Sequence, residues 1–179
     1  MPRSSTLASM AAALLALGPA VALADTTIQA KHSGKVLDIE GASSAPGARV
    51  SQYTRHNGPN QLFALHQISA GVYTIVARHS GQCLDVDGAS MADSVEVGQY
   101  PCHGGAHQQF MIARLSDGSY LIIARHSGKC LDIAGAGLDN GARLHQFRCH
   151  GGDNQRFYLD GVSAPALPED LGPDDLAAE

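Results

Sequence analysis

Apolar residues along this chain fall in short runs, each bounded by polar or glycine-bearing turns. Between Gly71 and Gly118 the pattern predicts four strands, over Tyr73–Arg78, Cys83–Asp87, Val95–Tyr100 and Gln108–Ala113. His79-Ser80-Gly81 and His103-Gly104-Gly105 read as turns between them. No stretch carries an apolar stripe at helical spacing long enough to matter.

The same pattern recurs with a fixed period. His-Ser-Gly-x-x-Leu-Asp begins at His32, His79 and His126, an offset of 47 both times, and the offset also relates Gln52, Gln99 and Gln146. Phe63, Phe110 and Phe157 follow it too, and no insertion or deletion is needed. Ala24–Phe63 and Gly71–Phe110 share 19 of 40 positions, and Gly71–Phe110 and Gly118–Phe157 share 20 of 40. Three copies, at about residues 26–70, 71–117 and 118–160, therefore fill most of the chain. Three units of four short strands suit a closed, pseudo-threefold all-β body. An open solenoid of three such units would leave two uncapped ends. The three phenylalanines are expected to be inward-facing core residues.

The four cysteines obey the repeat. Cys83 and Cys102 in the second copy match Cys130 and Cys149 in the third, while the first copy has Val36 and Arg55 there. Both members are missing together, as expected if each pair bridges within a copy, so Cys83–Cys102 and Cys130–Cys149 are the expected disulfides. No CxxC spacing suggests a zinc site.

Two segments lie apart from the repeats. Leu7–Ala24 is uncharged, rich in Ala and Leu, follows Arg3 and ends in Ala22-Leu23-Ala24. Residues 1–24 read as a secretory signal peptide, interrupted by Gly18-Pro19 and too weakly apolar for a permanent anchor. A secreted, extracellular protein without membrane attachment after cleavage is expected, in an oxidising compartment that suits disulfides. Residues 161–179 hold three Pro and five acids with no Lys or Arg, and read as a disordered acidic tail. A protein partner for that tail is left open.

Composition narrows the classes further. Charged residues are 16%, aromatics 5%, and Gly numbers 20, which disfavours a helical bundle. A net charge of −5 argues against nucleic acid as partner. The recurring polar residues are one set repeated three times, where an enzyme needs unlike groups in defined roles. No Gly-x-Ser-x-Gly, HExxH or P-loop occurs, so no catalytic residue and no cofactor is expected. Nine His invite a metal, but the repeated ones fall in turns, and His103 and His107 flank Gly104-Gly105 rather than sharing a helix face, so no metal site is expected. His32, His79 and His126 are expected to hydrogen-bond locally. From residue types alone, the Asp of Leu-Asp-Ile caps a turn or faces a ligand with equal weight.

The motifs Cys83-Leu84-Asp85-Val86 and Cys130-Leu131-Asp132-Ile133, with Val36-Leu37-Asp38-Ile39 as the cysteine-less copy, resemble those of ricin B-type lectins, also classed as family 13 carbohydrate-binding modules. The family's Gln-x-Trp signature appears as Gln61-Leu62-Phe63, Gln108-Gln109-Phe110 and Gln155-Arg156-Phe157, with Phe for Trp. The chain looks closest to stand-alone secreted bacterial members, over about Thr26–Asp160 within a domain of residues 25–160. The resemblance implies a β-trefoil and up to three weak sugar sites, for galactose- or xylose-type glycans. It places the pocket carboxylate on Asp38, Asp85 and Asp132, and the stacking aromatic on Tyr53, Tyr100 and Phe147. The polar residue after the second cysteine position falls on His56, His103 and His150. The closing pair is Asn60-Gln61, His107-Gln108 and Asn154-Gln155, where the glutamines serve either as contacts or as braces for the Asp. A further polar position reads Ser51, Gly98 and His145. His107 and Gly98 rank the second copy last. A carboxylate accepts hydrogen bonds from neighbouring sugar hydroxyls, and an aromatic face covers the C–H side of a pyranose. The competing implication is a trefoil that serves as a protein-binding or inhibitory scaffold, or as the non-catalytic subunit of a secreted complex.

Overall fold

The computed structural model describes residues 25–160. The expected signal peptide and acidic tail lie outside these residues. Twelve strands run as β1 (Ile28–Ala30), β2 (Val36–Ile39), β3 (Val50–Tyr53), β4 (Phe63–Ser69), β5 (Val72–Ala77), β6 (Cys83–Val86), β7 (Val95–Tyr100), β8 (Phe110–Arg114), β9 (Tyr120–Ala124), β10 (Cys130–Ile133), β11 (Leu144–Phe147) and β12 (Phe157–Leu159). Each copy supplies four. Only single-turn 3-10 helices interrupt them, so no helix among the described residues is long enough to cross a membrane.

The outer two strands of each copy close a six-stranded barrel. β12 pairs β1, β4 pairs β5, β5 pairs β8, β8 pairs β9 and β9 pairs β12, all antiparallel. Thr26 and Phe63 complete the ring between the first strand and β4 by exchanging both backbone hydrogen bonds, at 2.8 and 2.9 Å. The inner two strands of each copy form hairpins, β2–β3, β6–β7 and β10–β11. Backbone pairs His145–Glu96, Arg49–Gly98 and Ser51–Arg143 join the hairpins to one another around the pseudo-threefold axis. This is the expected all-β, pseudo-threefold trefoil.

The core is built in threes. Phe63, Phe110 and Phe157 are fully buried, as are Leu37, Leu84 and Leu131 and the trio Val50, Val97 and Leu144. Side chains alternate across a strand, so Leu37 and Ile39 enter this core while Asp38 is turned to the opposite face. Along the Leu-Asp strands even that outward face is largely buried.

The disulfides are Cys83–Cys102 and Cys130–Cys149, tying the start of each hairpin to the chain just beyond it. In the first copy Arg55 does different work. Its guanidinium bonds Thr27 Oγ1 at 2.9 Å and Asp160 at 3.1 Å, latching the two ends of the domain. In the second copy, the last strand starts at Phe110 rather than Gln108. Gln108 ends a 3-10 turn, its amide donating to Gly105 carbonyl at 2.9 Å, so that its side chain aims back at Asp85.

His32, His79 and His126 do not bond locally as expected. Their Nε2 atoms meet the carbonyls of Gly137, Ser43 and Ser90, each in another copy, at 2.8 to 3.0 Å. Gln52, Gln99 and Gln146 make the same crossing: each fully buried amide donates to two carbonyls of a neighbouring copy and accepts from a Ser hydroxyl of its own. These polar clamps lock copy to copy.

Candidate carbohydrate site

Each Leu-Asp strand presents one carboxylate in a cradle repeated three times. Asp38, Asp85 and Asp132 are 5%, 9% and 2% exposed. The closing glutamine lies behind: Nε2 of Gln61, Gln108 and Gln155 donates to the inner oxygen Oδ2 at 2.8 to 2.9 Å. Each also binds a carbonyl before the histidine and accepts that histidine's backbone N–H. All three glutamines are fully buried, so they brace the carboxylate from behind. Buried polar groups this well paired hold one geometry.

The histidines stand at the rim. The amides of Gly58, Gly105 and Gly152 donate to Nδ1 of His56, His103 and His150 at 3.1 to 3.2 Å. An accepting Nδ1 leaves the proton of neutral imidazole on Nε2, which then faces the Asp as a donor. His56 and His150 reach Oδ2 at 3.1 Å. The glycines are required by close approach: a Cβ at Gly58 would lie 2.5 Å from the His56 ring.

The three sites differ at their outer edge. In the first copy, Asp38, Tyr53, His56, Asn60 and Ser51 line a concavity of about 650 Å³ with Glu40, Gly41 and Ala42. Such a volume is that of a small-ligand pocket. Tyr53 is 43% exposed, its ring edge-on to His56. Asn60 donates to Ile39 carbonyl at 3.1 Å, and among the described residues no protein donor meets Asp38 Oδ1. Asp38 itself lines the pocket.

In the third copy the concavity is about 420 Å³ and holds Asp132, His145, Phe147, His150 and Asn154. Here His145 bonds Asp132 Oδ1 at 2.7 Å and stacks on Phe147, with ring centroids 5.7 Å apart. Asn154 donates to Oδ2 at 2.8 Å. Both carboxylate oxygens are thus taken by the protein.

The second copy is the smallest, about 250 Å³, lined by Asp85 and Tyr100 with Asp87, Glu96 and Arg49. Gly98 replaces the polar side chain, and a Cβ there would sit 3.0 Å from Ala48 carbonyl. Against expectation, His103 and His107 converge: their Nε2 atoms lie 3.6 and 3.5 Å from Asp85 Oδ2, and the rings are 4.9 Å apart. The turn between them, which ends in the single 3-10 turn Ala106–Gln108, brings the two rings together without an α-helix.

Residues that the motifs did not reveal complete the pockets. Gly141 of the third copy walls the first pocket, Gly47 of the first walls the second, and Ser94 of the second walls the third. Glu40 and Asp87, at one repeat position, line the first and second pockets but carried no signature in the sequence.

Residues 21–100, 59–147 and 106–166 match the family model described as ricin-type beta-trefoil lectin domain-like. Among solved structures, the designed threefold-symmetric protein ThreeFoil is 46% identical over 75% of this chain and 96% of its own, with a TM-score of 0.75. The exo-beta-1,3-galactanase 1,3Gal43A of Clostridium thermocellum is 33% identical over 77% of this chain, with a TM-score of 0.75, but the match spans 30% of that enzyme. The C-half of an earthworm R-type lectin, solved with GalNAc, is 25% identical over 77% of this chain and 98% of its own, with a TM-score of 0.62. No curated protein sequence matches the chain.

Proposed function

The chain belongs to the ricin-type β-trefoil lectin-like family, and on that premise we propose that it binds carbohydrate without catalysis, chiefly through its first copy. The observation that carries this is Asp38. Gln61 and His56 hold its inner oxygen, no protein donor among the described residues meets its outer oxygen, and it lines a concavity with the exposed Tyr53. A carboxylate so fixed accepts hydrogen bonds from two adjacent hydroxyls at little ordering cost, while the tyrosine face takes the C–H side of the ring. The earthworm lectin's GalNAc and the lactose of a Macrolepiota procera ricin B-like lectin support a galactose-type ligand, and xylose-type glycans are the second class. A shallow site of this kind binds at about millimolar to micromolar levels, that is, roughly 4 to 8 kcal/mol.

In the third copy a sugar must displace His145 from Asp132, and the second copy offers the smallest concavity, with no side chain at Gly98. We propose one principal site and one latent one. That all three carboxylates line concavities rather than cap turns favours a sugar ligand over a purely protein-binding scaffold. Export is proposed as well, supported by the apolar leader and the two disulfides. The test is a titration of the full chain with galactose- and xylose-terminated oligosaccharides. Saturable binding by about one site, lost in Asp38→Asn, is expected; binding that survives Asp38→Asn would place the ligand elsewhere.

A further inference from the structure

We propose that the second copy carries a transition-metal site, built from Asp85, His103 and His107, in place of a sugar site. One ligand atom from each of these residues lies within 4.8 Å of the other two. The two histidine–carboxylate distances differ from those of the hydrogen-bonded cradles in the other copies. In the first and third copies the rim histidine sits 3.1 Å from its carboxylate oxygen, a hydrogen bond. In the second copy both histidines stand back from the same oxygen, at 3.6 and 3.5 Å. Zinc bonds of about 2.1 Å at tetrahedral angles place neighbouring ligand atoms about 3.4 Å apart.

The substitution pattern points the same way. His107 occupies the position held by Asn60 and Asn154, and it alone supplies the second imidazole on one oxygen. In the third copy two imidazoles also meet a carboxylate, but on different oxygens and within hydrogen-bond reach, so they hold Asp132 rather than surround a point in space. Gln108 fixes the Asp85 oxygen at 2.8 Å, the kind of outer bond that orients a ligating carboxylate. His103 is well exposed and His107 partly so, leaving an entry path and an open coordination position.

Two imidazoles with one carboxylate suit zinc, copper or nickel and not calcium or magnesium, which take all-oxygen shells. Ligation by Nε2 of His103 moves its ring proton to Nδ1, so the 3.2 Å contact from the Gly105 amide opens. Gly104, at φ +76, lends the loop that freedom. This site stands independently of sugar binding.

Calorimetric titration of the full chain with zinc chloride at neutral pH tests it. One zinc per chain is expected, with a rise in melting temperature. His107→Asn, which installs the residue of the other copies, should weaken binding at least about 10-fold, as should His103→Gln. His66→Gln, a histidine outside the cluster, should bind as the parent does. No saturable zinc binding, or equal binding by folded His107→Asn and His103→Gln, would overturn the site.

Discussion

At the scale of single residues, the account turns on what touches each carboxylate. Asp38 and Asp132 occupy identical repeat positions, yet among the described residues Asp38 Oδ1 meets no protein donor while Asp132 Oδ1 meets His145. Removing that imidazole should create a site. In His145→Ser, which copies the first site's Ser51, glycan titration is expected to rise from about one site per chain to about two. An unchanged stoichiometry would show that Phe147 or Asn154, rather than the histidine, closes the third copy. Asp38→Ala is a poorer probe than Asp38→Asn, because it strands a donor of the fully buried Gln61, at about 1–3 kcal/mol. The aspartates were legible from the Leu-Asp motif, as were the aromatics. That Gln61, Gln108 and Gln155 lie wholly behind the carboxylate was not, since a strand pattern gives no depth. The Asp85 histidine pair was not legible, because a spacing of four signals a shared face only on a helix, and the glycines between His103 and His107 argue against one.

Elements depend on crossings between copies. Gln99 is fully buried, donating to Ser43 and Ala45 carbonyls and accepting from Ser80. Gln99→Leu fills similar space but strands these groups, and should cost about 2–3 kcal/mol, read as a lower midpoint in urea with unchanged slope. Closure of the barrel rests partly on two acids, Asp117 in the loop before β9 and Asp160 at the end of the domain. Hydrogen bonds from Ser119, with Lys31 alongside, hold the Asp117 carboxyl well below the usual range, and Thr27 with Arg55 lowers that of Asp160. Arg156 joins Asp117 as well, so these contacts pin β12 to the loop before β9 and to the first strand's turn. Because the folded values are depressed, the unfolded chain takes up protons first, near about 3.9. The stabilisation is therefore whole above that pH and is lost as pH falls through it toward the folded values. Asp117→Asn should lower stability at neutral pH by about 1 kcal/mol at most, since exposed ion pairs are screened. Its melting temperature should also vary less with pH between about 5 and 2. A parallel acid profile for parent and variant would remove Asp117 from that role.

For the whole molecule, the period of 47 made the trefoil readable, because every strand, turn and core phenylalanine is repeated in phase. What a repeat cannot announce is what its neighbour contributes. Each pocket takes a wall from a different copy, through Gly141, Gly47 or Ser94, and the histidines of the His-Ser-Gly turns bind across copies rather than within them. The symmetry is also broken at the axis, where Glu96 stands between its repeat equivalents Arg49 and Arg143 and pairs with both. Three identical charges there would repel, so one copy had to differ. The same divergence separates the sites into an open one, a covered one and one with a histidine pair.

The most direct measurement is a comparison of the full chain and Asp38→Asn on an array of galactose- and xylose-terminated glycans, with both proteins verified as folded by their melting curves. The account predicts selective, saturable binding by the parent and its loss, by at least about 10-fold, in the variant, the weakening expected when a charged hydrogen-bond acceptor becomes neutral. Equal binding by the two proteins, or no glycan bound by the parent, would contradict it.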